Sequence, residues 1–214
     1  MQIFWQGYSS VRIETKQGEE SCMIMTDPYQ NEASMRLPRT ALPDVLLLSN
    51  QDLKRFNVDG VAGKPFIINE PGEYEVRGVF VYGIQDPVVD SGKNRPVIYR
   101  IEAEDMVIAF LGGVNRQLTD HEIERLGNVD ILILPVGGGD VLDAKAASKA
   151  MSAIEPRIVV PIHYNVSGIK TKLDTVDQFC NALGVCKREN VNKLKISNKD
   201  LPAEDVLVTV IERT

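Results

Sequence analysis

The stretch Val45-Leu46-Leu47-Leu48-Ser49-Asn50-Gln51-Asp52-Leu53-Lys54-Arg55 decides how this chain is read. Four apolar residues in a row, too few for a helix, predict a strand over 45–48 that is buried on both faces. The abrupt change to polar residues at 49–55 predicts a loop at its carboxyl end, where functional side chains tend to collect. Working outward, the same pattern recurs. Residues 131–134 and 158–162 are apolar runs of strand length, and the second ends in His163-Tyr164. Upstream, 3–5 and 11–14 flank a turn at Gly7. The strand expected over 22–26 ends at Asp27-Pro28, where the proline stops it. Residues 74–81 form an extended stretch through Gly78 after a turn at Pro71-Gly72. Residues 97–102 and 106–111 flank the acidic turn Glu104-Asp105 and predict a hairpin.

The second half alternates helix with strand. Thr119-Asp120-His121-Glu122 is a capping box, and Gly127 ends its helix. Ala147, Ala150, Met151 and Ile154 repeat at helical spacing, with Asp143 as N-cap and Pro156 beyond the end. Leu173, Val176, Phe179, Cys180 and Leu183 form an apolar stripe stopped by Gly184. A last strand falls at 206–211. Strands first, then this alternation, imply an α/β or α+β layered fold. No repeat, low-complexity tract or linker interrupts it, so one domain is expected over 1–214.

Composition narrows the chemistry. The 214 residues hold two histidines and three cysteines. A three-histidine centre within the chain is excluded, as is structural zinc on paired CxxC motifs. The net charge of −6 argues against nucleic acid or an anionic membrane as partner. The N-terminus has no basic, signal-like segment, and no apolar run reaches membrane length. Unpatterned cysteines suggest a reducing compartment. A cytoplasmic protein is expected, with Cys22 and Cys180 as inert buried thiols.

The strand-end segments, taken in order, resemble the metallo-β-lactamase superfamily, in particular its lactonase-like branch of small single-domain members. They are Trp5-Gln6-Gly7-Tyr8-Ser9, Thr26-Asp27-Pro28, residues 49–55, Phe110-Leu111-Gly112-Gly113 and Pro161-Ile162-His163-Tyr164. The resemblance covers nearly the whole chain. It implies an α+β, four-layer αββα sandwich with the site at one edge, and a metal-dependent hydrolase.

Against the family's T-H-x-H-x-D-H, residues 49–55 place Asn50 and Asp52 at the first two histidines, Lys54 at the aspartate and Arg55 at the third histidine. Tyr8 replaces the early histidine, and Gly113 the bridging aspartate. His163 survives as the histidine ligand; Asp27 remains, in the family an organiser of the ligands. Zinc needs about four N, S or O donors, so no metal and no cofactor is expected. Lys54, and Arg55 beside it, are expected to replace the metal's charge and pair with Asp27 or Asp52. No serine–histidine triad is expected, because the nearby hydroxyls have no second histidine to complete one.

The expected site is therefore Tyr8, Asp27, Asn50, Asp52, Lys54, Arg55 and His163. His163 is read either as a relic ligand or as a hydrogen-bonded strand-end histidine, and His121 as surface. Residues 137–139 lack a P-loop's Lys-Ser/Thr. Three functions follow. The first is a non-catalytic homologue, its zinc ligands largely lost, that binds a small anionic ligand or a partner. The second is a metal-dependent hydrolase with a residual or atypical mononuclear site on Asp52 and His163. The third is a structural assembly subunit, with a homo-oligomer as its form.

Overall fold

The computed structural model describes residues 1–32, 35–38, 42–88, 95–184 and 186–214. The strands are β1 (Gln2–Gly7), β2 (Ser10–Gln17), β3 (Glu20–Thr26), β4 (Val45–Leu47), β5 (Phe66–Ile68), β6 (Gly72–Val76), β7 (Val79–Ile84), β8 (Ile98–Ala103), β9 (Met106–Phe110), β10 (Ile131–Pro135), β11 (Ile158–Ile162), β12 (Arg188–Val191), β13 (Leu194–Lys195) and β14 (Leu207–Ile211). The α-helices are α1 (Asp120–Leu126), α2 (Ala144–Ile154) and α3 (Val176–Leu183).

The strands form two mixed sheets. One runs β13-β1-β2-β3-β4-β5, the other β12-β14-β11-β10-β9-β8-β7-β6. The sheets pack through one apolar core, to which Trp5, Ile13, Ile24 and Leu47 contribute from the first and Val81, Ile108, Phe110 and Ile133 from the second. The continuous apolar run at 45–48 has its reason here. Side chains alternate across a strand: Val45 and Leu47 enter the core between the sheets, while Leu46 and Leu48 face outward under Phe56 and Val58. Each leucine so buried contributes about 2 kcal/mol. Tyr99 fastens the layers, its hydroxyl lying 2.7 Å from the Leu48 carbonyl and 2.9 Å from that of Ile68.

On the outer face of the second sheet, α1 packs against β7 and α2 against β10. The capping box on α1 and the Asp143 cap on α2 form as the sequence predicts. The α+β sandwich expected from the resemblance is therefore present. Over the first sheet the described cover is short 3-10 turns, Leu53–Arg55 and Val58–Gly60. The two-residue turn between β1 and β2 and the β8–β9 hairpin match their sequence signals.

One correction concerns cysteine. Cys180, expected as an inert thiol, is disulfide-bonded to Cys186 just past the end of α3, and only Cys22 is free. The six-residue separation of this pair matches no CxxC spacing and gave no signal in the sequence. Among the described residues no helix is long and apolar enough to cross a membrane.

Candidate active site

Strands β1, β3, β4, β9, β10 and β11 all end at the same edge of the sandwich, because β3 and β4 run parallel and so do β9, β10 and β11. Their carboxyl ends surround a cleft of about 290 Å³. Tyr8 and Ser9 reach it from β1, Asp27 from β3, Ser49 and Asn50 from β4, Asp140 from the loop after β10 and His163 from β11. Tyr8, Asp27 and His163 hold φ of 46°, 35° and 52°. Left-handed backbone costs non-glycine residues on the order of 1 kcal/mol or more each, and it persists where the surroundings enforce it, often at functional sites.

Asp27 is fully buried at the cleft floor. Its Oδ1 accepts the Ser49 amide at 2.7 Å and its Oδ2 the Ser49 hydroxyl at 2.6 Å. Burial drives its pKa up to about 7, against the opposing pull of the Ser49 bonds and the Arg55 charge. The adjoining loop has to be glycine. A Cβ at Gly112 would stand 2.5 Å from Asp27 Oδ2, and one at Gly113 would stand 2.5 Å from Ser49 Oγ. Where the family pattern carries a bridging aspartate, this chain has no room for a side chain beside the Ser49–Asp27 pair.

His163 is buried as well. Its Nδ1 lies 2.8 Å from Ser9 Oγ, and its amide donates to the Tyr8 carbonyl at 2.9 Å. Ser9 Oγ also lies 2.8 Å from the Gly112 carbonyl. Across the cleft, Nε2 faces Asp140 Oδ1 at 3.6 Å. Burial lowers the imidazole pKa to about 4 while the Asp140 carboxylate opposes the shift, so the ring is neutral at neutral pH. The edge of Tyr8 packs on the ring with centroids 5.3 Å apart, and the Tyr8 hydroxyl donates to Glu32 at 2.9 Å. Burial raises the Tyr8 pKa.

The structure separates the expected site residues. Tyr8, Asp27, Asn50, Arg55 and His163 line the cleft. Lys54 and Asp52 do not. Lys54 is exposed, and its amide is capped by the Asp52 carboxylate at 3.2 Å in the 3-10 turn. The short turn after Asn50, whose own Oδ1 accepts the Asp52 amide, carries both side chains outward. Charge replacement by Lys54 is thus corrected: Arg55 is the cation that enters the cleft, where it pairs with Asp140 at 3.3 Å and its charge also acts on Asp27. Both partners are well exposed, so this pair contributes at most about 1 kcal/mol. The mononuclear pair Asp52–His163 is not assembled either. The sequence reading missed Ser9, Ser49, Glu32 and Asp140; it expected no hydroxyl partner for an imidazole here, whereas Ser9 Oγ and His163 Nδ1 stand 2.8 Å apart. Ser9 follows Tyr8 directly at a strand end, a signal that was available. Asp140 lies beyond three glycines whose path the sequence does not reveal.

Among the described residues no three His, Cys, Asp or Glu side chains converge where an ion could be held. Catalytic zinc takes three protein ligands. His163 and Asp140 supply two, and both oxygens of Asp27 already accept from Ser49. Among the described residues, this donor set does not fit a catalytic zinc ion.

Residues 2–163 match the family model of the β-lactamase superfamily domain. The chain belongs to the metallo-β-lactamase superfamily. A UPF0173 metal-dependent hydrolase of Thermococcus onnurineus is 30% identical over 170 residues, 76% of this chain and 75% of the relative. One from Pyrococcus horikoshii is 32% identical over 102 residues, 44% of either chain. Among solved structures, a Thermotoga maritima protein assigned to the Zn-dependent hydrolases of the metallo-β-lactamase superfamily superposes with a TM-score of 0.78. It is 26% identical, over 99% of this chain and 100% of that one. These hydrolase relatives overturn the expectation of a non-catalytic binding homologue. That expectation equated missing histidines with missing chemistry, and so overlooked groups that only the fold brings together.

Proposed function

We propose that this superfamily member is a hydrolase of small, uncharged acyl substrates, such as esters, thioesters or lactones, bound in the strand-end cleft. The observation that carries the reading is the His163 imidazole at the cleft floor, 2.8 Å from a hydroxyl and facing a carboxylate across 3.6 Å. A neutral imidazole beside a hydroxyl can take up a proton as an acyl bond is attacked and return it to the leaving group. The names of the relatives support the reaction class. The cleft volume of about 290 Å³ suits a small substrate.

Charge selects the kind of substrate. Asp27, Glu32 and Asp140 line the cleft with Arg55 as the cation among the described residues. That balance favours a neutral acyl group over the small anion expected from sequence. Tyr8, Tyr29 and Phe56 supply an apolar wall. Arg55 lies where it can meet negative charge developing on a carbonyl oxygen.

The test is a panel of p-nitrophenyl esters, thioesters and lactones, offered to chelator-treated protein and to protein supplied with zinc or manganese. Turnover by the wild type that drops at least about 100-fold in His163→Ala is the expected result. No turnover of any substrate under any metal condition overturns the reading.

A further inference from the structure

We infer that Ser9 is the nucleophile of this hydrolase, with His163 as its base and Asp140 as the group that positions the imidazole. The inference deepens the hydrolase reading and rests on it. It also starts from the disagreement between the family's metal chemistry and the donors this chain presents.

Three observations place the roles. Ser9 Oγ and His163 Nδ1 are 2.8 Å apart at the cleft floor, within reach for direct proton transfer. His163 Nε2 faces Asp140 Oδ1 at 3.6 Å, a separation that a bound substrate can tighten. Ser9 also follows a residue in left-handed conformation, Tyr8 at φ 46°, and His163 itself is held at φ 52°. A sharp, strained turn at a strand end is how a serine nucleophile is presented in other hydrolase folds. No other hydroxyl described in the cleft has an imidazole partner, and Ser49 is committed to Asp27.

The tautomer follows from the neighbours. The Ser9 hydroxyl donates to the Gly112 carbonyl at 2.8 Å, and the direction of its 2.8 Å contact with Nδ1 is set by the imidazole tautomer. A carboxylate beside Nε2 favours the ring proton on Nε2, which leaves Nδ1 as the acceptor for the Ser9 proton. The ring is used in the reverse sense to the usual triad, with Nδ1 rather than Nε2 toward the nucleophile.

The reaction balances without a co-reactant other than water. As the Ser9 Oγ–carbonyl carbon bond forms, the Ser9 proton passes to Nδ1 and the carbonyl π pair moves to oxygen. Collapse of the tetrahedral species breaks the bond to the leaving group, which takes the proton from Nδ1 and departs as an alcohol or thiol. Water then adds to the acyl-serine and gives a proton to Nδ1. The second collapse releases the acid and returns that proton to Ser9.

The experiment uses the full chain, chelator-treated, with a fluorophosphonate as active-serine probe and p-nitrophenyl acetate as acyl donor. A covalent adduct mapped to Ser9, absent in His163→Ala, together with an initial burst of p-nitrophenol, is the expected result. Ser9→Ala is expected to lose adduct and burst and to fall at least about 100-fold in turnover. Ser9→Cys keeps the turn filled and is expected to trap the acetyl group as a thioester detectable by mass, which guards against a misfolded alanine variant. Asp140→Asn is expected to slow the acylation rate with KM unchanged, a split that a merely structural role would not give. Turnover that persists in Ser9→Ala, with no adduct on the wild type, overturns the nucleophile assignment and leaves the hydrolase reading intact. Absence of both turnover and adduct in folded wild type, with metal and without, overturns both.

Discussion

Replacing Asp27 with asparagine isolates the cost of a charge at the cleft floor. The Asp27 carboxyl has its pKa raised to about 7 in the folded protein against 3.8 for an ordinary aspartate. The folded state therefore holds a proton that the unfolded chain has already released between about pH 4 and pH 7. Stability contributed by this group is full below about pH 4 and is lost as pH rises through 7. The gap of about three pH units, at about 1.4 kcal/mol each, sets the loss near 4 kcal/mol by pH 8, an upper bound because local relaxation softens the cost of burial. Asparagine cannot ionise, keeps an oxygen for the Ser49 amide and can donate to the Ser49 hydroxyl. The stability of Asp27→Asn relative to wild type should thus rise steadily from about pH 4 to about pH 8, by several kcal/mol. Urea unfolding followed by the fluorescence of Trp5, the single tryptophan and a buried one, measures both proteins at each pH. The difference between the two curves cancels other titrating groups. A difference flat with pH to within about 1 kcal/mol would refute the reasoning, because the carboxyl would then have to be solvated or ionised at no cost.

Ser49→Ala removes the 2.6 Å donor to Asp27; equilibrium unfolding at pH 8 should show a loss of about 1–3 kcal/mol, with the Asp27 transition moved to higher pH. In Gly113→Ala the new methyl meets Ser49 Oγ at 2.5 Å, and a melting temperature equal to wild type would contradict the expected cost of about 1–3 kcal/mol. Tyr99→Phe leaves the Leu48 and Ile68 carbonyls without its hydroxyl, for an expected loss of about 1–3 kcal/mol in the same measurement. Alkylation of the unfolded, unreduced chain should mark Cys22 alone, and labelling of Cys180 or Cys186 would contradict their pairing.

The fold was legible because its signals are local and repeated. The apolar runs at 45–48, 131–134 and 158–162, the Pro after Asp27 and the capping box at Thr119 each report an element on their own. The site was legible only in part. Tyr8, Asp27, Asn50 and His163 stand at strand ends, and strand ends could be found. The orientation of neighbouring side chains could not. Lys54 and Arg55 are adjacent in sequence, yet a single 3-10 turn sends one to solvent and the other to the cleft. Ser9 and His163 lie 154 residues apart and meet only because β1 and β11 end at the same edge. The reading of function failed for a related reason. Counting histidines against a pattern tests whether one set of ligands is present, and says nothing about what a lone imidazole meets once the chain has folded.

Ser9 belongs to one sheet and His163 to the other, so their separation is a measure of how the two layers are seated. Two donors fix that seam. The Trp5 indole donates to the Tyr8 carbonyl at 2.8 Å, and the His163 amide donates to the same oxygen at 2.9 Å. The Trp5 ring also stacks on Tyr164 with centroids 4.5 Å apart. The deep core and the reacting pair are thereby parts of a single mechanical joint. A change at Trp5 touches no substrate, yet it acts on the distance over which a proton has to move, and tolerance to mutation in this protein should be mapped along the seam between the sheets rather than outward from the cleft.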